Sequence, residues 1–395
     1  MKRIVSLLLC ALLMLTSAVV FAVPASAAEK VVFVDTDKDG DGSSPEKALA
    51  SIFDAFAALG EEGGTMVISG NVTELSKIVD LPAWKGTIKI TSVYDGVDYR
   101  KTNEASLDLH ESRFFLYGPT VFDDLNMNIF YSTGIIICAN WNPIEFGEGF
   151  ESTILGTKGI YLMGGTQSGA EGEYAFRDKD THMIIRSGEF FLVTGSSRAI
   201  SDTFTGNCVI DIYGDPIITG YLLAAGCNGS GTFNGATFNI HGGEIALLCY
   251  GGANNPCQTT GTVTANFYGG KILAFDMTNA NGTNVFNYAE NADADSIQLA
   301  KDAGVATVAP LAAAPTTTEA PATTVAPTTE APTTTVAPVV TDAPVVTTAA
   351  PVVTTVAPAQ PEPTPSTGDA TLVLFASALV ALAAVVVISK RRVRN

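Results

Sequence analysis

The sequence predicts an all-β fold, a parallel β-helix in which short strands stack coil upon coil. Three observations predict it. Apolar strands recur at a nearly fixed interval, the mark of a repeat architecture. Each strand alternates apolar and polar residues and runs into a glycine turn, a pattern of β coils and not of helical repeats. The composition agrees: Val, Ile, Phe, Thr and Asn are frequent and helix formers do not dominate, which favours strands.

The repeats are clearest in four segments. Ile184-Ile185-Arg186-Ser187-Gly188-Glu189-Phe190 lines up with Asp211-Ile212-Tyr213-Gly214-Asp215-Pro216-Ile217. Asn239-Ile240-His241-Gly242-Gly243-Glu244-Ile245 and Asn266-Phe267-Tyr268-Gly269-Gly270-Lys271-Ile272 follow the same pattern. The inward positions Ile185, Ile212, Ile240 and Phe267 lie 27, 28 and 27 residues apart. Fainter copies are expected upstream at Met66-Val67-Ile68, Ile88-Lys89-Ile90, Leu107-Asp108-Leu109, Ile129-Phe130-Tyr131 and Ile154-Leu155-Gly156. About nine coils of roughly 4.8 Å each would give a stack on the order of 40 Å long.

The two ends of such a stack need covers, because open strand edges pair with other sheets. At the N-terminal end Ser44-Pro45-Glu46 is expected to open a capping helix, with Ser44 as cap and Pro45 in the first turn. Leu49, Ile52, Phe56 and Leu59 would form its apolar face and Gly60 its stop. At the other end Asp295 to Lys301 reads as a short helix followed by Gly304.

These elements carry a resemblance. Val31-Val32-Phe33-Val34-Asp35, an Asp/Gly loop, Ser44-Pro45-Glu46, an amphipathic helix and Gly63-Gly64-Thr65-Met66-Val67-Ile68 together resemble the opening of right-handed parallel β-helix proteins of the pectate-lyase-like superfamily. The resemblance spans about residues 29 to 305. It implies a right-handed parallel β-helix solenoid with an N-terminal capping helix. The superfamily holds polysaccharide lyases and glycosidases, yet Asn-x-Asp, Gly-His-Gly and Arg-x-Lys signatures are absent from this chain.

The chain ends frame that domain. Residues 1–27 read as a secretory signal peptide: Lys2-Arg3, an apolar run from Ile4 to Val23, and the Ala25-Ser26-Ala27 cleavage pattern. The β-helix domain is expected over residues 28–308. Residues 309–363 are rich in Thr, Pro and Ala; proline every few residues forbids regular structure, so a disordered, extended stalk is expected. Residues 364–395 hold Thr364-Pro365-Ser366-Thr367-Gly368, an apolar segment over 370–389 and the basic tail Lys390-Arg391-Arg392. A segment of that length covers roughly 30 Å as a helix, enough to cross a bilayer, and the basic tail places the bulk of the chain outside. The order resembles a cell-wall sorting signal of Gram-positive bacteria, which implies a sortase and peptidoglycan as partners and cleavage between Thr367 and Gly368. Thr364 stands where that pattern usually has Leu. The other reading is a transmembrane helix that is never cut.

Charge narrows the partners. With 22 basic and 40 acidic residues, the formal net charge is −18. Nucleic acid is therefore excluded as an expected partner, since phosphate binding needs clustered Lys and Arg. Five cysteines follow the signal, an odd number. Cys227 and Cys257 occupy nearly equivalent places in consecutive coils, so they are either a disulfide or buried thiols.

Three groups of residues are candidates for chemistry. Asp35, Asp37, Asp39, Asp41 and Glu46, with Gly40 between, have the spacing of a calcium loop; the alternative is a solvated Asp/Gly turn. Bound Ca²⁺ would be structural. Arg186, Tyr213, His241 and Tyr268 fall in one outward column, where Tyr213, His241 and Tyr268 could offer sugar rings a surface to stack on or simply support the sheet. Asp211, Asn239 and Asn266 form a polar column beside it. Asp211 and Asp215, with Arg186 one coil away, are the candidates for acid–base work on a glycosidic bond.

The expected protein is thus anchored at the cell surface and displays an adhesin-like or carbohydrate-binding domain without catalysis. A wall-tethered polysaccharide lyase or glycoside hydrolase, and a purely structural surface protein, are the alternatives.

Overall fold

The computed structural model describes residues 29–111, 113–166, 178–197, 203–226, 230–253 and 257–311. The chain divides into two compact units, residues 1–312 and 313–395, and the second lies outside the described residues. So do the expected signal peptide, the stalk beyond Leu311, Pro365, Thr367, Gly368 and the 370–389 segment, and Cys227. Among the described residues no helix is long and apolar enough to cross a membrane.

The described part is all-β, with strands stacked in parallel and few helices. The arrangement is compatible with a β-helix or solenoid. A 12-stranded sheet runs the length of the stack, from Val31–Val34 to Thr307–Pro310. An 8-stranded sheet and a 4-stranded sheet form further sides. Their pairs are parallel; the one antiparallel pair among the described residues is the small hairpin Val93–Tyr94 with Val97–Asp98.

One inward column explains why the strands stack in this register. Val32, Met66, Ile90, Phe122, Phe146, Ile185, Ile212, Ile240 and Phe267 are consecutive partners along the long sheet. All are buried. A one-residue slip would turn each strand's buried side chains to solvent, and each fully buried Ile or Phe contributes about 1.5–3 kcal/mol. The 185–212–240–267 repeat is therefore a true structural register.

Four details depart from the sequence reading. The upstream copies do not form one series: Ser106–Leu109, Asn126–Ile129 and Glu151–Ile154 belong to the four-stranded sheet, stacked in that order on Asn71–Glu74. Met66 and Ile90 do lie on the long sheet as expected, and the positions that follow them there are Phe122 and Phe146. Second, Ile217 is not the inward partner of Phe190. Ile218 pairs with Phe190 and with Ile245 and is buried, while Ile217 is 44% exposed. The turn Tyr213-Gly214-Asp215-Pro216 is longer by one residue, which accounts for the single spacing of 28.

Third, the capping helix is Ile52–Leu59, capped by the Ser51 hydroxyl accepting from Phe53 N–H. Pro45–Lys47 makes only a short 3-10 turn, for which Ser44 gives no side-chain cap. Leu49 is drawn into a bridge with Val34 and cannot join the helix. Gly60 ends the helix at φ 67°, its N–H bonded to Phe56 C=O. Fourth, the stack extends past residue 308. Thr307–Pro310 pairs with Val285–Tyr288. The terminal helix Ala294–Asp302 is as expected, and Asp293 caps it through Ser296 N–H.

Candidate functional site

The Asp-rich loop is best understood from what its backbone does. Phe33 N–H donates to Gly42 C=O, Leu49 N–H to Phe33 C=O, and Asp35 N–H to Leu49 C=O. These bonds occupy the free edge of the first strand of the long sheet. The loop therefore closes the sheet end, which an open stack of parallel strands requires. Its carboxylates turn to local donors. Asp35 Oδ1 accepts from Asp37 N–H at 3.1 Å, and Asp41 Oδ1 accepts from both the N–H and the hydroxyl of Ser43. Those two bonds hold the Asp41 carboxyl below its ordinary value. Glu46 is held down by its own N–H and by Ser44. Asp37 and Asp39 are exposed. Among the described residues no three Asp, Glu, His or Cys side chains converge as a metal set, so the five expected ligands are not gathered around one point.

The outer face of the long sheet gathers more. On each of five coils the residue before the inward position points out, giving the column Ile184, Asp211, Asn239, Asn266 and Asn287. The amides chain along it. Asn239 Nδ2 donates to Asp211 Oδ1 at 2.7 Å, Asn266 Nδ2 to Asn239 Oδ1 at 2.8 Å, and Asn287 Nδ2 to Asn266 Oδ1 at 2.9 Å. The other Asp211 oxygen lies 2.7 Å from His182 Nε2. An amide has two N–H groups and an oxygen with two lone pairs. Asn239 and Asn266 therefore each keep one donor and one acceptor position beyond the ladder, Asn287 keeps a donor and both acceptor positions, and the Asp211 carboxylate only accepts.

Beside it runs the ring column. Tyr213 and His241 stack with centroids 4.5 Å apart and planes 14° apart; His241 and Tyr268 stack at 4.2 Å and 2°. The guanidinium of Arg186 covers the remaining face of Tyr213 at 4.8 Å, and Glu145 holds that guanidinium with a 2.8 Å ion pair. The three sequence candidates are thus brought together. Their ring faces, however, are turned to one another along the stack and not outward. The cause is the parallel register, which sets equivalent side chains one strand spacing, about 4.8 Å, apart. What solvent meets is the ring edges, with the Tyr hydroxyls and the imidazole nitrogen. The far face of Tyr268 is the exception, because the next rung is Ala289.

Electrostatics separate the groups. Burial works to raise the Asp211 carboxyl, but the hydrogen bonds from His182 and Asn239 outweigh it and hold it below the ordinary value. A carboxylate so held is ionised at neutral pH and poorly suited to donate a proton. Burial lowers the His241 imidazole, with the Asp211 charge opposing. Burial raises both Tyr213 and Tyr268. Asp215 sits exposed in the widened turn, and Arg186 is held by Glu145 and Tyr213. The catalytic candidates Asp211, Asp215 and Arg186 therefore share a neighbourhood without a visible acid–base pair.

Cys208 and Cys249 are buried free thiols. Burial pushes Cys208 up to about 11 and Cys249 well above its ordinary value. The supposed partner of Cys257, Cys227, is outside the described residues. Sequence reasoning missed Glu145, His182 and Asn287. Asn287 could have been found: Asn287-Tyr288 sits 21 residues after Asn266-Phe267, a shortened repeat. His182 reaches Asp211 diagonally between coils, and no linear spacing signals that.

Fold and face together define an all-β protein of stacked parallel strands with a polar and aromatic outer surface. Comparison of the chain with family models, with curated proteins and with solved structures finds no match.

Proposed function

We propose that the chain is a cell-surface-anchored, right-handed parallel β-helix protein that binds carbohydrate and does not catalyse. In this reading the Thr/Pro stalk and the sorting signal tether the domain to the wall, and sortase and peptidoglycan are its anchoring partners. The observation that carries the binding role is the pair of ladders on the long sheet. The Asn239–Asn266–Asn287 amides repeat a donor and an acceptor at three successive coils, headed by the acceptor Asp211, and vicinal sugar hydroxyls are donor–acceptor pairs of that kind. The Tyr213–His241–Tyr268 edges lie alongside, and the open face of Tyr268 suits the apolar face of a sugar ring. Because the rings stack on one another, hydroxyl contacts to their edges carry more of the binding than sugar stacking does.

A glycan array probed with the full chain tests this. Retention on at least one glycan, lost in the Tyr213→Ala, Tyr268→Ala double variant with its fold intact by circular dichroism, is the expected result. Retention indifferent to that change would remove the face from the reading. Release of oligosaccharides from the bound glycan, abolished by Asp211→Ala, would sink the non-catalytic assignment.

A further inference from the structure

The ladder pattern occurs twice. On the four-stranded sheet, Asp108 and Asn128 are adjacent partners, and Asn128 Nδ2 donates to Asp108 Oδ1 at 2.7 Å. Two residues further along each strand, His110 and Phe130 stack with centroids 4.3 Å apart and planes 4° apart. The long sheet repeats each feature: Asn239 donates to Asp211 at 2.7 Å, and Tyr213 stacks on His241 at 4.5 Å. The local sequences share one form, an Asp or Asn, an inward apolar residue, then a ring: Asp108-Leu109-His110 and Asn128-Ile129-Phe130 against Asp211-Ile212-Tyr213, Asn239-Ile240-His241 and Asn266-Phe267-Tyr268.

The surroundings differ in two respects: Asp108 is buried and accepts from the Ser106 hydroxyl, where Asp211 is half-buried and meets His182, and the ring columns have different flanks. The His110–Phe130 column continues into Leu75 on one side and Leu155 on the other. Leu75 is 68% exposed, Leu155 55% and Phe130 39%. Three of the six large exposed hydrophobic side chains among the described residues therefore line one column. Aligned exposure of that kind marks a binding surface more often than scattered exposure does. Thr73 and Thr153 flank the Asp108–Asn128 pair on the neighbouring strands, which adds hydroxyls to the polar side.

We propose that the outer face of the four-stranded sheet is a second carbohydrate-binding face, which makes the protein bivalent for glycan. This rests on the reading of the long-sheet face as a glycan-binding surface. The occupant is a neutral sugar chain. Its hydroxyls meet Thr73, Asn128 and Thr153, with the buried Asp108 orienting the Asn128 amide, and its apolar ring faces meet Leu75, Phe130 and Leu155. An acidic glycan is disfavoured because an aspartate heads each ladder and the chain carries a net charge of −18. Two faces on different sheets engage two segments of a polysaccharide, and their joint occupancy raises retention without any new contact.

Isothermal titration calorimetry tests the proposal on the full chain in a sugar-free detergent. The probes are neutral β-linked hexasaccharides of glucose, xylose, mannose and N-acetylglucosamine. For a probe that binds, a stoichiometry of two sites per chain is expected. It falls to one in Phe130→Ala and in Leu155→Lys; the latter changes an exposed side chain and spares the core. It also falls to one in the Tyr213→Ala, Tyr268→Ala variant, and to none when both faces are changed. A single site, lost with the two tyrosines and untouched by Phe130→Ala and Leu155→Lys, overturns the second face and leaves the first standing. No heat with any of the four probes overturns both. A concentration-dependent dimer that Leu155→Lys abolishes, with stoichiometry unchanged, assigns the leucine column to self-association and also overturns it.

Discussion

Between Thr181 and Ile272 each coil crosses two sheets, the 12-stranded and the 8-stranded; between Asn126 and Met163 each coil crosses three. Both regions face the same problem, a buried column of apolar side chains down the long sheet. They meet it with different coil lengths. In the later region the turn from one sheet to the next takes the same few residues around glycine at Gly188, Gly243 and Gly270, all with positive φ, and one residue more at Tyr213–Pro216. In the earlier region the three-sided coil from Phe122 to Phe146 takes only 24 residues despite its extra strand on the four-stranded sheet, and only the hairpin and the short helix Tyr99–Thr102 lengthen a coil, to 32 residues between Ile90 and Phe122. A near-fixed period in sequence thus reports near-constant turn geometry, and its one-residue departure reports one longer turn. It does not report how many strands are stacked.

The largest expected effect lies where the two regions meet. Phe146 is the last long-sheet strand residue before the coil loses its third side. Its ring lies 5.1 Å from Phe122, 4.8 Å from Phe150 and 5.0 Å from Phe190. Phe146→Ala is expected to cost about 3–5 kcal/mol, in the upper part of the range for emptied core sites. Ile212→Ala, inside the regular region, leaves a smaller void and is expected to cost about 2–4 kcal/mol. Urea denaturation of the two variants settles the order. A smaller loss for Phe146→Ala would show that the junction repacks and that the regular region carries the stability.

A second comparison sharpens the register within the regular region. Ile217 and Ile218 are neighbours of identical chemistry, one exposed and one buried. Ile218→Ala should cost about 2–4 kcal/mol, and Ile217→Ala no more than about 0.5 kcal/mol. Equal costs would mean that the widened turn at Pro216 does not shift the strand as described. This pair also shows where the sequence is legible. The period placed Ile185, Ile212, Ile240 and Phe267 in one column because every spacing ran strand to strand. It misplaced Ile217 because one added turn residue is invisible to a spacing measured at the preceding strand. The upstream copies misled for a related reason: Leu107, Ile129 and Ile154 alternate as inward strand residues should, and alternation does not say which sheet a strand joins. In the candidate site, Tyr213, His241, Tyr268, Asp211, Asn239 and Asn266 followed from the period alone. That their rings face each other, and that His182 reaches Asp211, are consequences of strand spacing and of a diagonal between coils.

The smallest expected effect separates the two ring columns by pH. His241 lies between two tyrosine rings on the long sheet, faced by Asp211. Burial depresses its folded-state pKa below the ordinary 6.5. An unfolded chain takes up this proton near pH 6.5, while the folded chain takes it up only at lower pH. The unfolded state therefore binds more protons in the interval between, and stability falls as pH drops below 6.5. The contribution is complete above that pH. Asp211, also depressed, acts in a separate window, because its unfolded carboxyl titrates near 3.8 and its contribution is lost only below that. Melting temperatures of the wild type should thus decline as pH falls below 6.5, and His241→Phe should flatten the start of that decline by keeping a ring in the stack without the proton. An unchanged decline in His241→Phe would move the titration to another group, and the stack would then be a support that pH does not touch.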